Sequence, residues 1–355
     1  MPKHNRTLLT VLLIAAAILF SVLTDRRQEV SIGEQIVVTA IGIDKAENGI
    51  KLSVQAVDSL KTSANLSEQS QTATGVYRAT APSVSQALEA FLNESGRNTY
   101  ILHNKLIAIS DEVLTDRSLY EVLDFFLRSG ECSGLVDVVI CRGDAESLLT
   151  IESANDAIEA EYVAQMLKEG RRWGRVVPSH LLTVQQTASG DYDAAVPILR
   201  VDNGVPRLDG TCLFRKGYAV EELNAEETVA LSYAADTLDT CLHSVDGVTL
   251  QTSSLSSHIS FLQDDTCRIT VKGTVEIRES EKRLTQTQKE RYIGRFEQQL
   301  TDQITATITA IGQGYTVDPL ALNRRAALFG KVFLPKNGRI SVTVDMRLKE
   351  SGLWQ

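Results

Sequence analysis

Residues 34–57, EQIVVTAIGIDKAENGIKLSVQAV, decide how this chain is read. QIVVTAIGI (35–43) and IKLSVQAV (50–57) are rich in β-branched residues, and Asn48-Gly49 between them is a tight-turn signal. The stretch therefore predicts a β-hairpin that opens a folded domain. In its second strand Leu52, Val54 and Ala56 alternate with Lys51, Ser53 and Gln55, which predicts one buried face and one wet face.

Ahead of this hairpin lies an uncharged run, Leu8–Thr24, behind the basic tip MPKHNRT. Leu8, Leu9, Leu12, Leu13, Ile14, Ile18, Leu19 and Phe20 make it apolar all round. Its 17 residues meet the lower limit of about 17 for a membrane-spanning helix. It is long for a signal-peptide core, and no clear A-x-A cleavage site follows. Residues 1–24 thus predict an export signal or membrane anchor, with the rest of the chain on the far side of the membrane.

Composition narrows the remaining classes. With 355 residues the chain is long enough for several domains, and 43% hydrophobic with 23% charged residues is ordinary for a globular protein. The formal charge is -9, and removing residues 1–24 with Lys3 and Arg6 leaves 34 basic against 45 acidic side chains. An acidic body argues against non-specific nucleic-acid binding, which rests on Lys and Arg at phosphates. The five cysteines, Cys132, Cys141, Cys212, Cys241 and Cys267, show no C-x-x-C and no neighbouring His pair, so they form no zinc or redox motif. Cys141 and Cys212 lie in strand-like runs and read as small buried side chains.

Beyond the hairpin, residues 60–75 read as a polar loop and Val76–Ala81 as a strand. Ser83 is a candidate N-cap for a helix to Glu94, with Val84, Ala87, Leu88, Phe91 and Leu92 on one face. A buried strand (104–110), a helix (116–128), a strand (135–141) and a helical segment from Ala145 follow. Residues 152–170 predict an acidic helix, Pro178 opens a short one, and 190–200 returns as a strand. VDNGVPR (201–207) reads as a linker or hairpin turn, and the main boundary is expected there. Beyond it come strands near 210–215 and 218–223, a helix from Asn224, two or three strands over 240–280, a long helix over 285–311, a short one from Pro319 and a final strand at 339–347. The fold class is α+β or mixed α/β and multi-domain, each domain a mostly antiparallel or mixed sheet with flanking helices. The expected division is 1–24, an N-terminal domain at 25–200 with a break near 150, and a C-terminal domain at 205–355.

Catalytic signatures are missing. His4, His103, His180, His243 and His258 form no H-E-x-x-H, and there is no G-x-S-x-G, no phosphate-binding loop and no dinucleotide fingerprint. His103, Asn104 and Lys105, just before a buried strand, could form a site, although a polar turn at a strand edge explains them as well. Trp173 in EGRRWGR reads as a helix-end aromatic over a domain seam, with an exposed recognition residue among arginines as the other reading. Glu221/Glu222 and Glu226/Glu227 read as surface and cap features. No catalytic residue, cofactor or metal is expected.

The run DRRQEVSIGEQIVVTAIGIDK (25–45) resembles the start of the Ger(x)C family, the C subunits of spore germinant receptors. Asp25-Arg26-Arg27 and Gly42-Ile43-Asp44 carry the likeness. HNKLIAIS (103–110), EVLDFFLRS (121–129), GTCLFRKGYAVEELNAEET (210–228) and VTVDMRLKESG (342–352) continue it in order. The resemblance implies a three-domain α/β fold and a non-enzymatic subunit on the extracytoplasmic face of the inner spore membrane. It also implies A and B subunits as partners in a complex through which spores respond to small nutrients. Family members are usually lipoproteins with a cysteine before Trp-Asp-Arg-Arg. Here Leu23 stands at the cysteine position and Thr24 at the tryptophan, so residues 8–24 are expected to stay as an uncleaved anchor. An alternative from another class is an extracytoplasmic solute-binding protein that holds the germinant itself. Few aromatics (6%) and no repeated lobe weigh against it.

Overall fold

The computed structural model describes residue 14 and residues 35–58, 74–96, 98–151, 158–188, 190, 192–262 and 265–349. The candidate anchor residues Leu8, Leu9, Leu12, Leu13, Ile18, Leu19 and Phe20, and the motif residues Asp25, Arg26 and Arg27, lie outside these. Ile14 is described, as exposed and helical. Among the described residues no helix is long and apolar enough to cross a membrane.

The chain folds as two mixed sheets with helices, in agreement with the predicted class. The first sheet starts with the predicted hairpin, β1 (Gln35–Ala46) and β2 (Gly49–Asp58), which turns at Glu47-Asn48. Its strand order is β3-β2-β1-β5-β6-β7-β8-β9, with a short β4 (Asn98–Tyr100) also on β1. Here β3 is Thr74–Ala81, β5 Leu106–Ser110, β6 Asp137–Cys141, β7 Ala194–Asp202, β8 Val205–Arg215 and β9 Tyr218–Leu223. The central pairs β1–β5, β5–β6 and β6–β7 are parallel, and antiparallel hairpins flank them.

Parallel strands need cover on both faces, and both are covered. Every residue of β5 and β6 is buried. Ile107, Ile109, Val138 and Ile140 pack with α1 (Val84–Ser95), α2 (Leu119–Ser129) and α4 (Leu181–Ala188). The alternate residues Leu106, Ala108, Val139 and Cys141 face the 3₁₀ turn Ala145–Leu149 and α3 (Glu159–Arg172). Local signals explain the helix ends. Ser83 caps α1, and Ser118 with Glu121 forms a capping box on α2. Gly96 and Gly130 close these two helices in the left-handed conformation.

Two expectations need correction. Ser53 and Gln55, assigned to a wet face, are fully buried, because the 145–149 turn and α3 cover the second face of β2. Leu92 is 39% exposed, at the edge of the stripe that buries Phe91. As one of its two expected readings, the segment 201–207 forms the hairpin between β7 and β8, and the chain changes sheet between Leu223 and Cys241.

That change is made by α5 (Ala225–Ala235), which is capped by an Asn224/Glu227 capping box and buried around much of its circumference. The second sheet has the order β10-β11-β12-β13: Cys241–Val245, Val248–Phe261, Thr266–Glu279 and Arg339–Leu348. The long helix α6 (Gln286–Thr309) packs on it through Ile293, Phe296, Leu300, Ile304 and Ile308, the predicted stripe. A short α7 (Leu322–Leu328) precedes β13. Leu213 and Leu223 of the first sheet belong to the same core as α5 and the second sheet, so the two sheets share apolar packing.

At that seam the Tyr233 hydroxyl lies 2.8 Å from His243 Nε2 and 2.9 Å from Thr252 Oγ1, and His243 stacks on Phe296 with ring centroids 4.6 Å apart. Burial lowers the imidazole pKa to about 4. The unfolded chain, with an ordinary imidazole, takes up the proton first, so stability is lost as pH falls from about 6.5 to 4. His243 is half-buried, which moderates the expected loss to about 2 kcal/mol. Denaturant midpoints at both ends of this window, for the wild-type chain and His243→Gln, isolate it. The variant loses less on acidification, and an equal loss in both proteins would contradict the assignment.

Candidate functional site

A polar cluster grows from the end of β1. Gly42 faces the backbone of the 145–149 turn, and a Cβ there would sit 3.3 Å from both Ala145 C and Glu146 N. Glycine therefore lets the turn lie directly on the strand. Two residues on, Asp44 is 5% exposed, and its carboxylate accepts hydrogen bonds from Ala145 N (2.6 Å) and Glu146 N (3.3 Å). It thereby satisfies amide groups that the start of a short helix leaves unpaired. Ile43, between them, is buried on the opposite face among α1 and α2. The Gly42-Ile43-Asp44 motif is thus a seat for this turn.

Charged side chains close over the seat. Lys51 Nζ lies 3.0 Å from Glu146, 3.4 Å from Asp144 and 3.8 Å from Asp44. Glu146 also accepts from Ser53 Oγ (3.1 Å) and from the Arg78 guanidinium (Nε at 2.7 Å). Arg78 chiefly, with help from Lys51, holds Glu146 down at about 2. Burial foremost, then the neighbouring Asp144 carboxyl, pushes Asp44 up to about 7. Deeper in, a β-bulge at Thr39 lets its hydroxyl donate to Gln55 Oε1 (2.9 Å). Gln55 Nε2 donates to Leu149 O (2.9 Å) and Glu159 Oε2 (2.7 Å), which ties β2 to the turn and to α3.

His103, Asn104 and Lys105 lie elsewhere, in the turn before β5, and do not reach the Asp44 cluster. His103 is exposed and stacks edge-on against Tyr100, with centroids 5.1 Å apart. Asn104 is buried, and its Oδ1 accepts from Leu106 N (3.3 Å). Lys105 acts through its backbone, donating from N to Thr39 O (2.9 Å) and accepting at O from Asp137 N (3.1 Å). The three form a structured strand-edge turn. Lys51, Ser53, Gln55, Arg78, Asp144 and Glu146 had no signal in sequence, since they meet across about a hundred residues. A charged or amide residue on an apparently wet strand is the one hint they leave.

A second motif, 210–228, builds the passage between the sheets. Gly210 has φ +117°, and a Cβ there would fall 2.2 Å from Leu223 O. Gly217, with φ +84°, leaves room for the Tyr120 ring, and its carbonyl accepts from Leu119 N at 2.7 Å. Glu222 is held by Arg142, whose guanidinium lies 2.8 Å away and also bonds Asp209. The motif thus turns β8 into β9 and launches α5.

All five cysteines are buried and unpaired with one another, and burial pushes the Cys141, Cys212 and Cys267 thiols up to about 12. Among the described residues no group of three or more His, Cys, Asp or Glu side chains is placed to hold a metal ion.

Comparison with known proteins accords with this geometry. Residues 28–201 match the family described as "Spore germination protein N-terminal domain". Among solved structures, the "Crystal Structure of the GerBC protein" aligns with a TM-score of 0.56 at 14% identity, covering 87% of this chain and 97% of that one. That likeness shows a shared fold. No curated protein matches by sequence.

Proposed function

We propose that this chain, whose residues 28–201 match the family described as "Spore germination protein N-terminal domain" and which shares the GerBC fold, is the C subunit of a spore germinant receptor. It works there as a non-catalytic part, assembled with A and B subunits at the extracytoplasmic face of the inner spore membrane. Residues 8–24 are its uncleaved anchor, since Leu23 occupies the position of the lipidated cysteine. The observation that carries this reading is the family match over residues 28–201, which include the first-sheet strands up to β7 and the Gly42-Ile43-Asp44 seat. Affinity purification of a tagged chain from sporulating cells tests it. Co-purification of the products encoded beside it, resistant to carbonate extraction of membranes, is expected. Release by carbonate as a lone soluble chain would overturn it.

One observation favours a second reading, direct binding of a small nutrient. A cleft of about 210 Å³ lies between α4, α5 and the 319–325 segment, lined by residues such as Ser179, Asp193, Leu231, Leu320 and Arg325. It is smaller than the roughly 300–1,000 Å³ of typical ligand sites, so the first reading stands ahead. A thermal shift of the full chain with millimolar amino acids, nucleosides or sugars would reverse that order.

A further inference from the structure

The segment between Pro319 and the start of β13, PLALNRRAALFGKVFLPKNGR (319–339), breaks with the rest of the chain in charge and in exposure. It carries five basic residues, Arg324, Arg325, Lys331, Lys336 and Arg339, and no acid, within a chain of net charge -9. From the end of α7 onward it presents Leu328 (77% exposed), Phe329 (71%), Val332 (74%) and Leu334 (52%) to solvent. Single exposed apolar residues are ordinary, but four large ones within seven positions form a patch that calls for an occupant.

The loop is built to hold this patch out. Phe333, between the exposed Val332 and Leu334, is buried and stacks on Phe261 with centroids 5.5 Å apart. Gly338 makes room for that ring, since a Cβ there would lie 2.1 Å from it. Pro335 packs on Gly312 at the end of α6, Gln313 Nε2 donates to Gly338 O (3.1 Å), and Lys331 donates to Phe261 O. Arg339 N bonds Asp265 O in the adjoining β11–β12 turn, which adds the exposed Leu262 and, in sequence, two acids, Asp264 and Asp265, against the five basic residues. The prongs thus sit on a braced base with a positive surplus.

Apolar prongs ringed by Lys and Arg are the composition that partitions into the headgroup boundary of an anionic bilayer. We propose that residues 328–334 dock on an anionic lipid surface, with Leu328, Phe329, Val332 and Leu334 entering the boundary and the flanking basic residues meeting lipid phosphates. The proposal does not depend on the receptor reading. It needs only a bilayer within reach.

The test uses the full chain reconstituted into vesicles of phosphatidylcholine alone or with one third phosphatidylglycerol, so that the apolar N-terminal run is present in both. Leu328→Cys takes an environment-sensitive dye, and the buried native thiols leave that site the accessible one. Glu47→Cys, in the exposed hairpin turn, serves as control. With phosphatidylglycerol, the dye at position 328 should shift to the blue, be quenched by lipid-borne nitroxide and lose on the order of fivefold of its iodide quenching. Val332→Glu with Lys336→Glu should remove these changes while leaving the control dye and the unfolding midpoint unchanged. Equal iodide access at position 328 in both vesicles would overturn the proposal, as would protection that needs added receptor subunits rather than anionic lipid. Neither result bears on whether the chain co-purifies with partners, so this idea and the receptor reading fail separately.

Discussion

Gly210→Ala is expected to lose about 4 kcal/mol of stability or to fail to accumulate as folded protein. Two effects add at this position. A side chain at φ +117° is strained in itself, and its Cβ would overlap Leu223 O at 2.2 Å. That carbonyl belongs to the last residue of β9, one position before the Asn224 cap of α5, so it cannot withdraw without disturbing the passage between the sheets. Gly247→Ala is the matched control, because Gly247 also has positive φ (+80°) but nothing lies within 4 Å of its would-be Cβ. It should cost about 1 kcal/mol, the conformational part alone. Chemical denaturation of both variants decides the matter. Equal losses would mean that β8 and the end of β9 do not approach as described.

Asp44→Ala carries the second large effect, about 3 kcal/mol of destabilisation near pH 6, because two amides, Ala145 N and Glu146 N, lose their acceptor inside the fold. Asp44→Asn keeps one acceptor oxygen and should lose less. The pH dependence gives a second, independent check. Asp44 is raised to about 7 in the folded protein, from about 3.8 in the unfolded chain, so between those values the folded state binds more protons. Its contribution is therefore complete below about pH 4 and falls away as pH rises towards 7. His243 acts in the opposite sense over nearly the same window, so the two slopes partly cancel in the wild-type chain. Asp44→Asn should expose the His243 slope, with stability rising more steeply from pH 4 to 7. A slope unchanged by Asp44→Asn would contradict the burial described for this carboxylate.

The features legible in sequence are those made within a few residues of one another. Asn48-Gly49 marked the first hairpin, and Ser83 and Asn224 marked helix starts because a cap bonds amides two or three positions on. The stripe from Ile293 to Ile308 marked α6 because its spacing repeats. What escaped depends on distant partners. Gln55 looked like a solvent-facing residue until α3, about a hundred positions later, covered it. The boundary expected at 201–207 rested on Gly204 and Pro206, which serve as well in a hairpin as in a linker. The three-residue β4 was too short to leave a pattern. Asp44 was visible only as part of a family motif, and the reason for that motif, a turn seated on a strand, needed Ala145 and Glu146 beside it.

We propose this chain as a non-catalytic subunit through which spores answer nutrients. The most direct measurement is the nutrient-triggered germination of spores that lack the chain, followed by loss of optical density, beside spores complemented with the wild type or with Gly210→Ala. The deletion and Gly210→Ala should both abolish the response to a nutrient whose receptor includes this subunit. Germination by a trigger that bypasses nutrient receptors should remain intact. Deletion spores that respond normally to every nutrient recognised by the wild type would contradict it.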